Sequence, residues 1–190
     1  AKQLWLNLQA MGATKADILD GVTHFEEELN YNLNNDFDAR KVIGDDLKSL
    51  GYGRYGNNEV TGPDAMHGTH VAGIIGANRN NSLGVKGVAD NVKIMTIRCV
   101  PNGDERDKDV ANAIKYAVDN GAEIINMSFG KPYSPEKNWV DEAVKYAESK
   151  GVLLVSAAGN ENEDIDQHVH YPTRILKSGT EVKNWITVGA

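Results

Sequence analysis

The sequence predicts an α/β protein built around a parallel β-sheet with helices on both of its faces. Apolar strand-like runs alternate with helical patterns from residue 67 onward, an order that is typical of parallel sheets. The runs are nearly continuous rather than alternating, which indicates strands that are buried on both faces. With 190 residues, of which 41% are hydrophobic, the chain can bury a core without disulfides.

An amphipathic helix is expected near the start of the chain. Thr14 lies three residues before Asp17, the spacing at which a threonine and an acidic residue cap a helix together. Apolar residues then recur at helical intervals, namely Ile18, Leu19, Val22, Phe25 and Leu29. This pattern predicts a helix over about 15–30.

The chain changes character near residue 60. Before this point, the stretches 30–46 and 52–62 are rich in Asn, Asp or Gly and have no apolar periodicity, so both are expected to be loops. After it, apolar runs and helical patterns alternate. We therefore predict a helical and loop region over 1–60 and an α/β region over 61–190.

The α/β region is predicted to contain four strands and two helices. Apolar runs indicate strands at 92–97, 122–127, 152–157 and 184–188. The first helix should begin at Asp107 or Asp109 and end at Gly121, because glycine tolerates the left-handed conformation that closes a helix. The second should begin with Ser134 as N-cap and a proline in the first helical position, and it should end at Gly151.

Composition disfavours several classes of partner. The chain carries 20 basic and 27 acidic residues, a net charge of −7, which argues against nucleic acid and anionic membrane surfaces. No window approaches the roughly 18 consecutive apolar residues of a membrane span. Cys99 is the only cysteine, which excludes an internal disulfide and a multi-cysteine metal site. It is expected to be a core thiol at a strand end.

Small or turn-forming residues follow three of the predicted strands, at 99–103, 128–130 and 158–160. Ligands of open parallel sheets bind beyond the carboxyl ends of the strands. Small residues there let another chain approach the backbone closely. A binding site is therefore expected at this edge of the sheet.

The segment that opens the α/β region carries a family resemblance. Its residues are His67, Gly68, Thr69, His70, Val71, Ala72 and Gly73. They resemble the histidine motif of the subtilisin-like serine peptidases, in which this histidine opens a buried helix. Three further segments resemble the same family in the same order, at 80–89, 125–130 and 157–160.

The resemblance implies a subtilisin-like fold and a serine endopeptidase that hydrolyses peptide bonds through an Asp/His/Ser triad. It implies that His67 is the general base, which takes a proton from the serine hydroxyl and returns it to the leaving amine. It implies that Asn160 donates its side-chain amide to the developing oxyanion.

The resemblance also implies how a polypeptide substrate is held. One group of residues would pair with an extended peptide through its backbone, namely Ser128, Phe129 and Gly130. A second group would line the pocket for the residue before the scissile bond, namely Ala157, Ala158 and Gly159.

Two members of the triad have no matching motif in this sequence. Asp36 precedes His67, as the family's chain order requires, but it lies in an Asn-rich run that is a poor strand and is expected to be a solvated loop residue. No serine stands in a Gly-Thr-Ser-Met-Ala setting. We therefore expect an internal piece of a longer catalytic domain, incomplete because the Asp-bearing and Ser-bearing segments are absent, and inactive alone. Residues 1–60 would then be a helical and loop insertion that precedes the His motif, between the aspartate and histidine strands of the family.

A non-catalytic peptidase-like module that binds peptides is the alternative function. The parent reading frame distinguishes the two, because only a peptidase carries the aspartate and serine motifs outside this window. A small-molecule-binding domain is disfavoured, since no Gly-rich phosphate loop follows a predicted strand.

No cofactor is expected, and calcium is the alternative. Asn81 and the carbonyls of Leu83 and Val85 match a loop that binds calcium in some relatives, but calcium takes about six to eight oxygen ligands. A zinc site at His67 and His70 lacks the usual i, i+4 histidine spacing. The remaining acidic and histidine cluster is expected to be solvated, namely Glu161, Glu163, Asp164, Asp166, His168 and His170.

The resemblance has two further implications, for partners and for location. In the family, the Asp-bearing strand lies between the strands that match 92–97 and 122–127. Its absence would leave unpaired strand edges, through which the chain could self-associate unless it rearranges to close the gap. The parent protein is expected to be secreted or part of the cell envelope.

Overall fold

The computed structural model describes residue 7 and residues 9–53 and 55–189. The chain falls into two compact units, Ala1–Asp46 and Leu47–Ala190. The predicted division into a helical and loop region over 1–60 and an α/β region over 61–190 stays a prediction.

In the first unit, helix α1 runs over Lys15–Glu27 and continues as a π-helical turn over Glu28–Asn32. The predicted capping pair is confirmed. The Thr14 backbone N–H donates to the Asp17 carboxylate at 2.7 Å, and the Asp17 N–H donates to the Thr14 hydroxyl at 3.2 Å. Helix α1 buries none of its residues.

Helix α2, Ala39–Ile43, lies within the stretch that was expected to be loop, so the loop prediction is wrong there. Asp38 caps the helix by accepting a hydrogen bond from the Arg40 N–H at 3.0 Å. Gly44 ends it with a φ of 68°. A helix this short has too few residues to show apolar periodicity. Only its two capping residues therefore mark it in the sequence.

Within the residues that the structure describes, the second unit contains three further helices and three strands. Its elements are α3 Met66–Gly76, α4 Asp107–Asp119, β1 Ile124–Met127, α5 Lys137–Ser149, β2 Leu153–Ala157 and β3 Trp185–Val188. The strands form one parallel sheet in the order β1-β2-β3. Ile124 pairs with Leu153, and Leu154 pairs with Trp185. The α/β class and the parallel sheet are confirmed.

Helices α4 and α5 cover one face of this sheet. Ile114 on α4, Val144 on α5 and Leu154 on β2 are 2%, 1% and 0% exposed. They form a single apolar cluster with Met127 and Trp185. Each buried side chain of this size stabilises the fold by about 1.5–3 kcal/mol relative to its exposed state.

The opposite face of the sheet is covered only in part. Ile124 on β1 is 62% exposed, and Ile186 and Val188 on β3 are 48% and 52% exposed. Leu153 and Val155 on the central strand are half-buried. The outer strands of this face are therefore more open to solvent than the central strand.

The strand predicted at 92–97 does not form. Its residues pair with no strand of the described sheet, and Val92, Ile94 and Met95 are 45%, 47% and 41% exposed. A strand needs a neighbour to satisfy its backbone hydrogen bonds, and here β1 is the end strand on that side of the sheet order. An apolar run alone predicts a strand without predicting its partner.

The second predicted helix also begins later than expected. Glu136 is the N-cap of α5, and Lys137 is its first residue. The Ser134 hydroxyl instead donates to the Asp107 carboxylate at 2.9 Å, so a tertiary partner takes the side chain that was expected to cap the helix. Gly121 and Gly151 follow the ends of α4 and α5 with positive φ angles of 85° and 73°, as predicted.

Candidate active site

The carboxyl ends of the strands bring two of the predicted substrate segments to one edge of the sheet. Met127 at the end of β1 pairs with Ser156 near the end of β2. Residues 128–130 and 158–160 therefore leave neighbouring parallel strands on the same side. The Ala158 N–H donates to the Val188 carbonyl of β3 at 2.8 Å, which holds the second segment against the sheet.

A buried ion pair fixes the chain just after β1. Lys131 Nζ lies 2.8 Å from Asp107 Oδ1, and the two side chains are only 9% and 5% exposed. Lys131 also donates to the Glu105 carbonyl. Asp107 accepts further hydrogen bonds from the Ser134 hydroxyl and from the Glu136 N–H at 2.7 Å. These are the additional hydrogen bonds that a buried ion pair needs.

Residues 170–172 close the same edge. Lys131 and Tyr171 form an antiparallel bridge in which each N–H donates to the other's carbonyl, at 3.1 and 2.9 Å. The peptide bond between Tyr171 and Pro172 is cis. A Cβ on Gly130 would lie 3.3 Å from the Tyr171 carbonyl oxygen. The backbone at Gly130 therefore approaches its neighbour more closely than most side chains allow.

Gly159 needs to be glycine for two reasons. Its φ of 98° lies in the region that L-residues rarely adopt. A Cβ there would also lie 2.5 Å from Glu161 Oε2 and 2.8 Å from His170 Cε1. The next residue, Asn160, is exposed, and its backbone N–H donates to Glu161 Oε2 at 2.7 Å.

His67 is the second residue of helix α3 and is exposed. Helix α3 contains no buried residue, so the buried helix that the resemblance implies is not seen. The reason lies in the unpaired 92–97 stretch, which contacts α3 through side chains, as at Gly76 and Val92, but brings no sheet layer against it. Among the residues described, no hydrogen bond or ion pair joins His67 to 128–130 or to 157–160.

The remaining predicted site residues differ in burial. Ser128 and Phe129 are half-buried, and the Ser128 hydroxyl accepts a hydrogen bond from the Asn126 amide at 2.9 Å. Ala158 is half-buried and Ala157 is exposed. The structure thus brings together the two substrate segments and Asn160, and it leaves His67 on a separate exposed helix.

Several alternative site residues take ordinary structural roles. The Asp36 N–H donates to the Asn34 side chain at 2.9 Å, which is a turn contact. The Asn81 side chain accepts from the Leu83 N–H at 3.1 Å. Burial, reinforced by Asp109 and Glu105, raises the pKa of the Cys99 thiol to about 12. Such a thiol is not a nucleophile at neutral pH.

The described part of the chain offers neither a metal-binding cluster nor a membrane-spanning helix. Within residues 7, 9–53 and 55–189, no group of three His, Cys, Asp or Glu side chains converges so as to hold a metal ion. In that same part of the chain, no helix is both long enough and apolar enough to cross a bilayer.

His170 was not predicted to lie between the two predicted substrate segments. Its Nε2 atom lies 3.3 Å from Glu161 Oε2, and its ring lies against both Gly130 and Gly159. The available signal was its position directly before the aromatic and proline pair Tyr171 and Pro172. Lys131 and Asp107 were missed as well, because 24 positions separate them in the sequence and no local pattern links them.

The chain is similar to known proteins of one family. A model of the subtilase family matches residues 17–190. Thermitase of Thermoactinomyces vulgaris is 32% identical over 95% of this chain and 60% of its own length. The major intracellular serine protease of Bacillus subtilis (strain 168) is 41% identical over 56% of this chain and 34% of its own length.

A solved structure of a psychrophilic protease is similar in fold. It superposes with a TM-score of 0.57 at 32% identity, over 71% of this chain and 42% of the protease. The chain spans 60% of the length of thermitase and 34% of the length of the intracellular serine protease. The matched family range also includes most of the region that precedes residue 61.

Proposed function

Since the chain belongs to the subtilase family, we propose that it carries the histidine and the oxyanion asparagine of a serine endopeptidase. His67 is the general base of the triad. Asn160 donates its side-chain amide to the oxyanion that forms at the scissile carbonyl. The triad aspartate and serine come from segments whose motifs this sequence does not contain.

The observation that carries this proposal is the shared edge of β1 and β2. Residues 128–130 follow β1, and residues 157–160 end and follow β2, which pairs with it in parallel. An extended peptide that lies against 128–130 would place the side chain of the residue before its scissile bond toward 157–159. Its scissile carbonyl would then lie toward Asn160. Recognition of this kind uses the backbone of the ligand, so the substrate is a polypeptide.

The chain is proposed to be inactive alone. Loss of the triad serine lowers turnover by about 10⁶, a magnitude known from a member of this family. The expected result is that the purified 190-residue chain does not cleave unfolded casein. Cleavage that is abolished by His67→Ala would contradict this part of the proposal.

Peptide binding by the chain tests the proposed edge directly. A fluorescent tetra-alanine peptide should bind, as measured by anisotropy. A matched peptide whose backbone amides are N-methylated should bind at least about tenfold more weakly, because it cannot pair with 128–130 through its N–H groups. Equal binding of the two peptides, or binding of neither, would overturn the proposal.

In the parent protein, the two proposed catalytic residues make distinct predictions. Asn160→Ala should lower kcat by about 10²–10³ with little effect on KM, the magnitude known for the oxyanion asparagine of this family. An unchanged kcat would contradict the oxyanion role of Asn160. A parent protein that binds peptides without cleaving them would instead favour the alternative, a non-catalytic peptidase-like module. The aspartate and serine motifs in the parent reading frame separate the two functions independently.

Self-association of the chain and the location of the parent protein are proposed as well. β1 is an end strand of the sheet, and such an edge can pair with a second chain. Light scattering that shows a strictly monomeric chain at high concentration would contradict self-association. An extracellular or envelope location for the parent stays a prediction, because the relatives include a protease named as intracellular.

A further inference from the structure

A short stretch of chain lies against helix α4 directly before the His67 segment, which we define as residues 62–98. We call the described residues of this stretch, 50–53 and 55–61, the strap; they form neither helix nor strand. Leu50 packs against the apolar cluster of α4, α5 and the sheet, and its carbonyl accepts a hydrogen bond from the Asn112 side-chain amide at 2.9 Å. The strap is therefore fixed to the core at its start.

Tyr55 attaches the middle of the strap to the first turns of α4. Its hydroxyl donates to Asp109 Oδ1 at 2.6 Å and accepts a hydrogen bond from the Asn112 amide at 2.9 Å. Its ring lies over the ammonium group of Lys108, with 4.9 Å between Nζ and the ring centroid. Lys108 is only 1% exposed, so this cation–π contact is shielded from water, where such contacts are strongest.

Tyr52 attaches the strap to the last turn of the same helix. Its hydroxyl donates to the Asp119 carboxylate, which also accepts the Tyr146 hydroxyl of α5 at 2.6 Å. These two hydrogen bonds, first that of Tyr146 and then that of Tyr52, hold the pKa of the Asp119 carboxyl below its ordinary value. The strap contacts thus extend from Asp109 to Asp119, about 15 Å along the helix at its rise of about 1.5 Å per residue.

Glu59, near the end of the strap, joins the two ends of the His67 segment. Its Oε2 atom accepts the backbone N–H of Gly62 at 2.8 Å and lies 3.6 Å from Arg98 Nη1. A Cβ on Gly62 would meet the guanidinium group of Arg98, so the first and last residues of the segment are in contact. His67 follows Gly62 by five positions.

The His67 segment has no packed core that would hold it in place. Helix α3 buries none of its residues, and His67 itself is exposed. A group that must act with a precise geometry requires neighbours that fix it. The contacts of the strap with α4, together with the Glu59–Arg98 pair, supply a path of fixed contacts from the sheet to the base of this segment.

We propose that the strap positions the general base relative to the substrate edge, with Tyr52, Tyr55 and Glu59 as positioning residues. The two tyrosines attach the strap to α4, and Glu59 attaches the His67 segment to the strap. None of the three touches the substrate. This inference rests on the proposed function, since it assumes that His67 acts on a peptide held near Asn160.

The first part of the test measures the position of α3 in the 190-residue chain. Spin labels are placed at two exposed positions, Thr69→Cys on α3 and Lys145→Cys on α5, in a Cys99→Ser background, and pulsed electron paramagnetic resonance gives their distance distribution. An intact strap should give one narrow distance. The double variant Tyr52→Phe/Tyr55→Phe keeps both rings but removes both hydroxyls, and it should give a broad distribution.

Two further variants make the result specific. Tyr31→Phe is the matched control, because it removes a tyrosine hydroxyl outside the strap and leaves the ring that packs on Phe37, 4.9 Å between centroids. It should keep the narrow distance. Glu59→Gln removes the charge that pairs with Arg98 and should broaden the distribution. It also serves as the second variant if the double tyrosine variant does not give a folded chain by circular dichroism.

The second part of the test measures the same variants in the parent protein. The double tyrosine variant should lower kcat about 10-fold to 100-fold, the scale of a displacement of about 1 Å in a catalytic group, and KM should stay unchanged. Turnover is expressed per peptide-binding site, as titrated by anisotropy. Loss of folded protein lowers the number of such sites, whereas displacement of His67 lowers turnover at each site.

The outcomes separate this inference from the function on which it rests. A parent protein that binds peptides and cleaves none would overturn the proposed function and the inference with it. In a parent protein that does cleave peptides, a distance that stays narrow in the strap variants, or a kcat per site that they leave unchanged, would overturn the inference alone. An equal loss of kcat in Tyr31→Phe would do so too, because the effect would not belong to the strap.

Discussion

Two parts of the second unit have similar apolar content and different burial. The sheet region, residues 107–188, places Ile114 and Leu154 at 2% and 0% exposure. The His67 segment, residues 62–98, leaves Ile74 and Ile94 at 50% and 47% exposure. The difference lies in the partners that each part has, because the hydrophobic effect requires a second surface to exclude water.

The sheet region supplies its own packing partners. Helices α4 and α5 pack on the same face of the sheet, and each strand pairs in parallel with a neighbouring strand. The His67 segment has one helix and one extended stretch, which share a few contacts. The Val88 and Ala89 N–H groups donate to the Ile74 and Ile75 carbonyls at 2.9 Å each, but no described strand lies beside them.

This comparison has a functional consequence. The residues proposed to bind substrate and the proposed oxyanion residue, Asn160, stand on the region with a packed core, whereas the proposed general base stands on the region without one. Precise catalytic geometry requires supporting residues that are themselves fixed by packing. The chain thus holds the oxyanion half of the site more firmly than the histidine half.

The largest effect is expected from breaking the buried ion pair that fixes the chain after β1. Asp107→Ala leaves Lys131 buried without its charged partner and should lower the free energy of unfolding by about 3–5 kcal/mol. Urea unfolding followed by circular dichroism measures this. Glu181→Ala is the control, because the Arg174–Glu181 pair is exposed and should contribute at most about 1 kcal/mol. Similar losses for both variants would contradict the assignment.

A smaller effect should separate the two apolar regions. Leu154→Ala removes a fully buried side chain and should cost about 2–5 kcal/mol of unfolding free energy. Ile94→Ala removes a half-exposed side chain and should change it by no more than about 0.5 kcal/mol. The same urea titration gives both values. A loss at Ile94 that approaches the loss at Leu154 would show that the His67 segment is packed in solution.

The smallest effect is expected at Glu105. Burial is the main cause that raises the pKa of its carboxyl group, with Asp104 and Asp107 adding to the rise and Lys131 opposing it. A carboxyl group whose pKa is raised by folding stabilises the folded state most while it is protonated, below its ordinary pKa of 4.5. That stability is lost as the pH rises through the folded-state pKa. Glu105→Gln removes that loss.

The variant should therefore gain stability relative to wild type as the pH rises from about 4.5 to 7. Thermal unfolding midpoints across that range give the measurement, with Glu142→Gln, at an exposed position of helix α5, as the control. Midpoints of wild type and Glu105→Gln that change in parallel with pH would show that Glu105 carries no such penalty.

Much of the sheet region could be predicted from sequence because its signals are local. Gly121 and Gly151 mark helix ends, and the apolar runs at 122–127, 152–157 and 184–188 overlap the strands that form. The family motifs also lie on contiguous residues, so Ser128 and Asn160 could be named without coordinates. In each case the residues that carry the information are neighbours in the chain.

The failures share the opposite property. Whether 92–97 becomes a strand depends on a partner elsewhere, and whether Ser134 caps a helix depends on Asp107, which lies 27 positions away. His170 belongs to the substrate edge only because β1 and β2 bring Gly130 and Gly159 to either side of it. Periodicity and capping rules contain no information about such pairings.

The central claim is that an extended polypeptide binds where β1 and β2 end. Assigned amide resonances of the 190-residue chain, followed by NMR during titration with the tetra-alanine peptide, test it most directly. The account predicts that the amides of 128–130 and 158–160 shift together with one dissociation constant. Shifts confined to other segments, or no shifts in these two at the highest peptide concentration, would contradict it.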